Sequence, residues 1–564
     1  MRVASALVAR TPQGEKPPAW NDQAGLELEG LAAAWYNTAN GDYFQYVRRT
    51  IDASLGAVGN AQSPGTDDPR LARQLLLLYR VTLAPQYYEA AKELQHRLSE
   101  HCFGPASSAS SPVPQENVSE PPCTAQPFLA EYAAVFHQPR DFAPLTRSFD
   151  LWQRQIETSS PRSGPASAAA HSRDTQLAWL TFALIDTLPN YPHDDPGRVD
   201  LIARFNRLAT GFLAHQDRQT GRFKDWSAAK TPLLAPTACL LIYALEKGVR
   251  LGYLPVSDLD PAERAWHTIS THALRVAADG SMQLASDPPQ SAAVQGYVTN
   301  LGPLLLAATE ADHTATATQA RGETVMLDAW YNSQLRKNAA GEMVSFHYKW
   351  DDWSDSGYSL LGHIFRNHGA MTETLPSEPT QKDLSRSQFY LIVSPDIPVK
   401  NPNPRYMTAH DADEIAAWVK QGGVLVMMEN DPPNADIAHL NLLADRFGIH
   451  FDDVLHHHIL GEHIEDGRMP VTPDGRLFHE SHTLYMKDTC AISLRSPAES
   501  LFRDRGDVVM ATAKYGRGTV FAAVDPWLYN EYTDGRKNPH IYNEFDNFAG
   551  GEEFVQWLLQ QRPR

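Results

Sequence analysis

The densest run of chemistry-bearing side chains is DPWLYNEYTDGRK, from Asp525 to Lys537. Trp527, Tyr529 and Tyr532 offer ring faces on which a sugar can stack. Asn530, Glu531, Asp534 and Arg536 offer hydrogen bonds to hydroxyls or to a carboxylate. An apolar run, Thr519 to Val524, precedes them and reads as a buried strand. Doubly wound sheets gather ligand groups at the carboxyl ends of such strands. The same logic selects Ser394 to Asp396 after FYLIV and Glu429 to Asp431 after VLVMM. Asp396, Asn430 and Asp525 therefore join the candidate site. Packing is the competing reading, because aromatics and arginine serve interfaces equally well.

Other chemistries are poorly supplied. No cysteine follows Val424 to Met428, so a thiol nucleophile is absent from the strand end where an amidase would need it. Cys490 lies in KDTCAISL without a nearby His/Glu set. His456, His457, His458 and His463 invite a metal reading. Alternation along a strand leaves only His456 and His458 on one face, and no third ligand is specified, so no metal is expected. His347 with Asp352 is weak by itself. KYGRG lacks the spacing of a phosphate loop and reads as a tight turn between strands. No cofactor is implied.

These groups need elements to hold them. From Phe389 to Gly448 the pattern is strand, helix, Gly422-Gly423, strand, helix, which predicts an α/β sheet. Residues 20–310 instead read as helix after helix with no β pattern, about eleven in all. The expected helices are Gly25–Tyr36, Asp42–Leu55, Arg70–Thr82, Tyr87–Ser99, Pro127–His137, Asp141–Ile156, Thr175–Thr187, Gly197–His215, Pro236–Gly248, Pro261–Ala277 and Tyr297–Asp312. Their number suits a closed toroid of six hairpins. Gly104–Asn117 and Ser159–Ala170, rich in Ser, Pro and Ala, read as surface loops bordering a cleft or serving as spacers. His313–Arg321 reads as a linker.

The 564 residues carry a net charge of −18, which argues against nucleic acid or an anionic membrane as partner. No run is long and apolar enough to span a membrane. The start, MRVASALVARTPQGEKPP, is too interrupted for a signal peptide, so the expected location is cytoplasmic, or periplasmic or secreted if the true start lies upstream. The cysteines, Cys102, Cys123, Cys239 and Cys490, read as free thiols, with a Cys102–Cys123 pairing left open.

The helical half resembles the unsaturated rhamnogalacturonyl and glucuronyl hydrolases, glycoside hydrolase families 105 and 88. The likeness is carried by GLELEGL from Gly25, Tyr43-Phe44, Leu75 to Tyr79, PFLAEY from Pro127, DDPG from Asp194 and YALEKGVRLGYL from Tyr243. It covers roughly residues 2–312 and implies an (α/α)6 toroid. The second half, roughly 322–561, resembles a class I glutamine-amidotransferase-like, flavodoxin-like α/β domain lacking its nucleophile. His347-Tyr348, Trp350 to Asp352, SGYSL from Ser356, GGVLV from Gly422, Ala513 to Gly518 and Asp525 to Lys537 carry that likeness. The expected organisation is thus a toroid at 1–315 and an α/β domain at 322–564, packed on each other.

The resemblance implies hydration of the double bond of a terminal unsaturated uronic acid in an acidic, pectin-like oligosaccharide. That reaction needs a carboxyl group able to act as acid and then as base. The family's central aspartate corresponds to Glu120, one methylene longer, and its second acid to Asp67, with Asp68 beside it. Ala72 and Arg73 take the places of a glycine and a basic residue. His171, Arg173, Trp179 and Trp226 are the implied substrate-binding residues. Two alternatives stand: a non-catalytic carbohydrate-binding or scaffold protein with both folds retained, and a hydrolase built on the α/β domain around Asp396, Asn430 and Asp525.

Overall fold

The computed structural model describes residues 1–9, 22–58, 68–103, 124–158, 173–226, 230, 232–276, 282–285, 297–298, 301–460, 463–526, 531–537 and 543–563. It divides into two compact units. One comprises 1–37, 42–79 and 83–315; the other comprises 38–41, 80–82 and 316–564.

The first unit is mostly helical. Its described helices are α1 (Arg2–Ala9), α2 (Asp22–Tyr36), α3 (Gly41–Val58), α4 (Pro69–Thr82), α5 (Pro85–Phe103), α6 (Gln126–Val135), α7 (Phe142–Thr158), α8 (Arg173–Thr187), α9 (Pro196–Ala214), α10 (Ala235–Arg250), α11 (Leu259–His272) and α12 (Gly302–Ala311). Even-numbered helices pack as successive neighbours: α12 on α2 and α10, and α8 on α10 and α6. Their apolar character runs almost all round, as an inner layer requires. Leu240, Leu241, Ile242, Ala244 and Leu245 of α10 are all buried. The odd-numbered α7 has a narrower stripe, Leu145, Phe149, Trp152 and Ile156. This alternation is consistent with a toroid-like arrangement.

The α2–α12 contact depends on missing side chains. A Cβ on Gly302 would lie 2.2 Å from the Leu26 carbonyl oxygen, and one on Gly30 would lie 2.7 Å from Leu305 Cβ. Alanine at 302 gains helix propensity of up to about 1 kcal/mol, but the overlap is with backbone and cannot rotate away. Gly302→Ala is therefore expected to destabilise the protein by about 1–3 kcal/mol, read from urea unfolding.

Two expectations are corrected here. A small antiparallel sheet of β1 (Leu274–Val276), β2 (Met282–Ala285) and β3 (Tyr297–Val298) interrupts the helices. Tyr297 therefore begins a strand rather than the last helix. Short β-branched and aromatic pairs at 276 and 297–298 favour strand pairing once a neighbour supplies the ladder. Cys102 is disulfide-bonded, to a partner outside the described residues, whereas Cys239 and Cys490 are free and buried.

The second unit is a mixed α/β sheet domain. Its strands are β4 (Thr324–Asp328), β5 (Leu335–Lys337), β6 (Met343–Ser345), β7 (Met371–Leu375), β8 (Phe389–Val393), β9 (Val424–Met428), β10 (Ile449–His457), β11 (Arg468–Val471), β12 (His482–Tyr485), β13 (Thr489–Leu494), β14 (Glu499–Asp504), β15 (Asp507–Tyr515) and β16 (Gly518–Ala523). Helices α13 (Ser359–Asn367), α14 (Gln381–Leu384), α15 (Ala409–Lys420), α16 (Ile437–Ala444) and α17 (Asn547–Gln560) intervene. The main sheet runs β10-β13-β15-β16-β9-β8-β4-β7, with β14 on β15.

From β16 to β7 all pairings are parallel. Read from β7 to β16, these five strands stand second, first, third, fourth, fifth in chain order, so the connections reverse direction between β4 and β8. Strands β4, β8 and β9 are buried at every position, which is what sequences without alternation predict for a sheet covered on both faces.

Candidate functional site

In the helical unit, buried charge links the inner helices. Arg73 Nη1 of α4 donates to Glu29 Oε1 of α2 at 3.0 Å and to Asp186 Oδ2 of α8 at 2.8 Å. Its Nε lies 3.6 Å from Glu131 Oε2 of α6. Asp186 Oδ1 accepts from Tyr243 Oη and Lys247 Nζ of α10, each at 2.7 Å. Burial pushes the Asp186 carboxyl upward, but Lys247 and Arg73 outweigh it and hold it well below the carboxylate range. At Glu29 burial wins over Arg73, and the carboxyl is raised. Three carboxylates from three helices thus meet around Arg73, and a fourth helix supplies Tyr243 and Lys247 to one of them.

The starts of α4 and α8 carry the groups expected to face a sugar. Asp68 caps α4 by accepting from Arg70 N at 2.8 Å. The Arg70 guanidinium lies 5.3 Å from the Trp179 ring centroid, and Trp179 is half-buried. Arg173 opens α8 and is exposed. Trp226 donates its backbone N–H to Asp174 Oδ2 at 2.7 Å, and its ring packs on Phe212 and His215. Burial raises the Asp174 carboxyl, partly opposed by that hydrogen bond. Glu120, Asp67 and His171 lie outside the described residues.

In the second unit the carboxyl ends of the parallel strands collect buried polar groups. Asp328 ends β4; Ser394 to Asp396 follow β8; Glu429 to Asp431 follow β9; Asp525 follows β16. All are nearly or fully buried. Asp328 accepts from the backbone N–H groups of Trp330, Tyr331 and Asn332 and from Tyr390 Oη. Asp525 accepts from Lys487 N at 2.6 Å. Lys349 donates to Asn332 Oδ1 at 2.9 Å, and burial lowers its ammonium to about 8. Three non-glycine residues here have left-handed backbone: His347 (φ 64°), Tyr348 (φ 55°) and Ser394 (φ 42°). Such strain persists only where surrounding structure enforces it.

The sheet thus brings Asp396, Asn430 and Asp525 to one edge. Glu531, Asp534 and Arg536 form a closed set of their own. Arg536 Nε donates to Asp534, and Nη1 donates to Glu531 Oε2 at 2.9 Å and to the Trp353 carbonyl. All three are buried, with the Arg536 side chain fully enclosed, so they fix the chain rather than present donors to a ligand. Trp527, Tyr529 and Asn530 lie outside the described residues. His456 pairs with Asp504 and Asp507, and His458 with Asp488. The described residues contain no acid, histidine and cysteine group able to hold a metal ion, and no described helix is long and apolar enough to cross a membrane.

Sequence reasoning missed Gln334, Lys349 and Lys400 at the edge, and Asp186 and Lys247 among the helices. Only Lys247 sits in a segment singled out above, YALEKGVRLGYL, and there as framework. Each becomes visible only when distant segments are brought together.

Glu429 gives a pH test. Its side chain is buried, and Oε2 has no hydrogen-bond partner. Burial raises its carboxyl from 4.5 to about 8. The folded state therefore holds a proton that the unfolded chain has lost, so this stabilising contribution is complete below pH 4.5 and vanishes as pH rises through about 8. Glu429→Gln is expected to flatten the fall in urea stability across that window by about 1 kcal/mol per pH unit. An unchanged slope would show that Glu429 titrates normally.

The family model for Glycosyl Hydrolase Family 88 matches residues 124–300. Among solved structures, a family 105 glycoside hydrolase from C. acetobutylicum is 20% identical, with a TM-score of 0.45, over 55% of this chain and 98% of that one. A family 88 glycosyl hydrolase from Bacteroides vulgatus is 18% identical, with a TM-score of 0.41, over 55% and 96%. The unsaturated glucuronyl hydrolase of Bacillus sp. GL1, described as responsible for glycosaminoglycan degradation, is 12% identical, with a TM-score of 0.40, over 55% and 93%. The N-terminal region resembles these family 88 and 105 carbohydrate-active enzymes at low identity.

Proposed function

We propose that the chain is a carbohydrate-active hydrolase of the unsaturated uronyl type, hydrating the double bond of a terminal unsaturated uronic acid in an acidic oligosaccharide. The observation that carries this reading is the family 88 match over residues 124–300. That span contributes Glu131, Trp179, Asp186, Tyr243 and Lys247 to the polar groups described above. Glu120 is assigned as the acid and base, Asp67 as its facing carboxylate, and His171, Arg173, Trp179 and Trp226 as substrate contacts. The toroid is assigned to 1–315. The α/β region, 322–564, is assigned to the flavodoxin-like, amidotransferase-like class, in keeping with its strand order and with Cys490, whose thiol is buried and pushed upward.

The test is ultraviolet absorbance of unsaturated uronyl disaccharides. The protein should remove the double-bond band. A set of such disaccharides left intact, with sugar binding retained, would instead support a non-catalytic carbohydrate-binding or scaffold role. One observation favours that second reading: the Asp174 carboxylate is taken up by the Trp226 backbone N–H, and the Trp226 ring packs on Phe212 and His215. The Cys102 disulfide favours the periplasmic or secreted alternative, because disulfides persist in oxidising compartments.

A further inference from the structure

The reversal point between β4 and β8 carries a hydrogen-bond relay that ends on a free ring nitrogen. Asp396 is acceptor-only as a carboxylate. Its Oδ1 accepts from Gln334 Nε2 at 2.7 Å, while Oδ2 accepts from Ser333 N and Asn401 Nδ2, each at 2.8 Å. That orients the Gln334 amide, leaving Oε1 to face His347 Nδ1 at 3.2 Å. Nδ1 must therefore carry the proton, and Nε2 keeps its lone pair. The His347 backbone N–H is fixed in turn by Asp352 Oδ2 at 2.9 Å. Burial, with Lys400 and Lys349 adding to it, lowers the imidazole to about 3, so the ring is neutral at physiological pH.

Lys400 precedes Asn401, whose Nδ2 is held on Asp396 Oδ2, so it stands beside the relay that ends on His347. It is also attracted by Asp431, Asp396 and Glu429. Its side chain makes no hydrogen bond to a described residue; the backbone N–H bonds Ile397 O. His347, Lys400, Ser333 and Asn401 are all partly exposed, with Asp396 and Gln334 buried behind them. Open α/β sheets bind ligands in this crevice, outside the carboxyl ends at the reversal of strand order.

We propose that His347 and Lys400 form a binding site in the second unit for a small hydroxylated carboxylate, with a ligand hydroxyl donating to His347 Nε2 and the carboxylate on the Lys400 ammonium. The partly exposed Ser333 and Asn401 border the site, tied to each other by the Asn401 Nδ2–Ser333 Oγ hydrogen bond at 3.1 Å. The one ammonium of Lys400 matches a single negative charge. A doubly charged phosphate would meet the same lysine with Asp396 and Asp431 close by, and a neutral sugar would leave the ammonium unmatched. The site is independent of the reading of the helical unit, because it uses none of its residues.

D-galacturonate is the probe and D-galactose the neutral control, with full-length protein labelled with 15N at histidine. His347→Phe identifies the His347 ring signals. In the free protein they should show the Nδ1–H tautomer. Galacturonate should move the Nε2 signal saturably, and galactose should leave it in place. Lys400→Met should weaken the galacturonate response about 10- to 100-fold, the effect expected for a hydrogen bond to a charged group. Four results would overturn the proposal: an Nε2–H tautomer, equal responses to both sugars, an unchanged midpoint in Lys400→Met, or galacturonate binding seen by calorimetry while His347 stays still. The last would place binding elsewhere without touching the hydrolase reading.

Discussion

Glu120→Gln is expected to abolish consumption of the double bond, by about 10²–10⁴-fold in kcat/KM, while leaving disaccharide binding within a few-fold. The amide keeps the shape of the side chain but neither gives nor takes a proton in the required range. Hydration of an enol ether needs both events at one place: a proton delivered to carbon and a water deprotonated. The extra methylene of glutamate, compared with the aspartate of the resembling enzymes, displaces the carboxyl by roughly 1 Å, enough to cost up to ~10²-fold by itself. Glu120→Asp therefore separates two ideas. A rate above that of the unmodified protein would mean that the site still favours the shorter acid. A Glu120→Gln variant of undiminished rate would remove Glu120 from the chemistry.

Arg536→Met is expected to cost about 3–5 kcal/mol, the range for breaking a buried ion pair by removing one partner. The guanidinium is fully enclosed with Asp534 and Glu531, and Glu531 also accepts from Ser359 Oγ at 2.6 Å and Leu360 N at 2.8 Å. Burial already raises the Glu531 carboxyl to about 8, with Arg536 pulling it down. Without Arg536 both acids must hold protons or remain as unpaired buried charges. The penalty, measured by urea unfolding, should therefore shrink as pH is lowered from neutrality, because protonation removes the charge. Adding Glu531→Gln and Asp534→Asn should restore much of the loss. A cost below about 1 kcal/mol would show that water reaches the cluster.

Local pattern made much of the architecture legible. The eleven expected helices of the first half correspond to α2 through α12, most within a few residues, since 3.6-residue periodicity and flanking Pro, Gly and Asp are local signals. Asp195, for instance, caps α9 by accepting from Gly197 N, as its place before Pro196 suggests. The unbroken apolar runs at 389–393 and 424–428 announced strands covered on both faces. The small sheet at 274–298 and the strands at 489–494 and 499–504 were not foreseen. The pairing there is antiparallel, with Val276 opposite Met282, Ile492 opposite Val508 and Asp504 opposite Asp507, and such short strands take their stabilisation from packing against the partner strand rather than from their own residues.

The candidate sites divide along the same line. DPWLYNEYTDGRK announced its chemistry by composition, yet composition is silent on whether Glu531, Asp534 and Arg536 face a ligand or one another. The fold answers that by enclosing them together. Sequence alone determined the helices of the first half, the strands at 389–393 and 424–428 and the acids at their ends, because those properties depend on neighbours a few residues away. Tertiary structure alone decided that Arg73 meets Glu29, Glu131 and Asp186, and that Asp396, Gln334 and His347 form one relay. Those groups come from segments separated by tens of residues. Their hydrogen bonds and charges exist only once the chain closes on itself and excludes water between them.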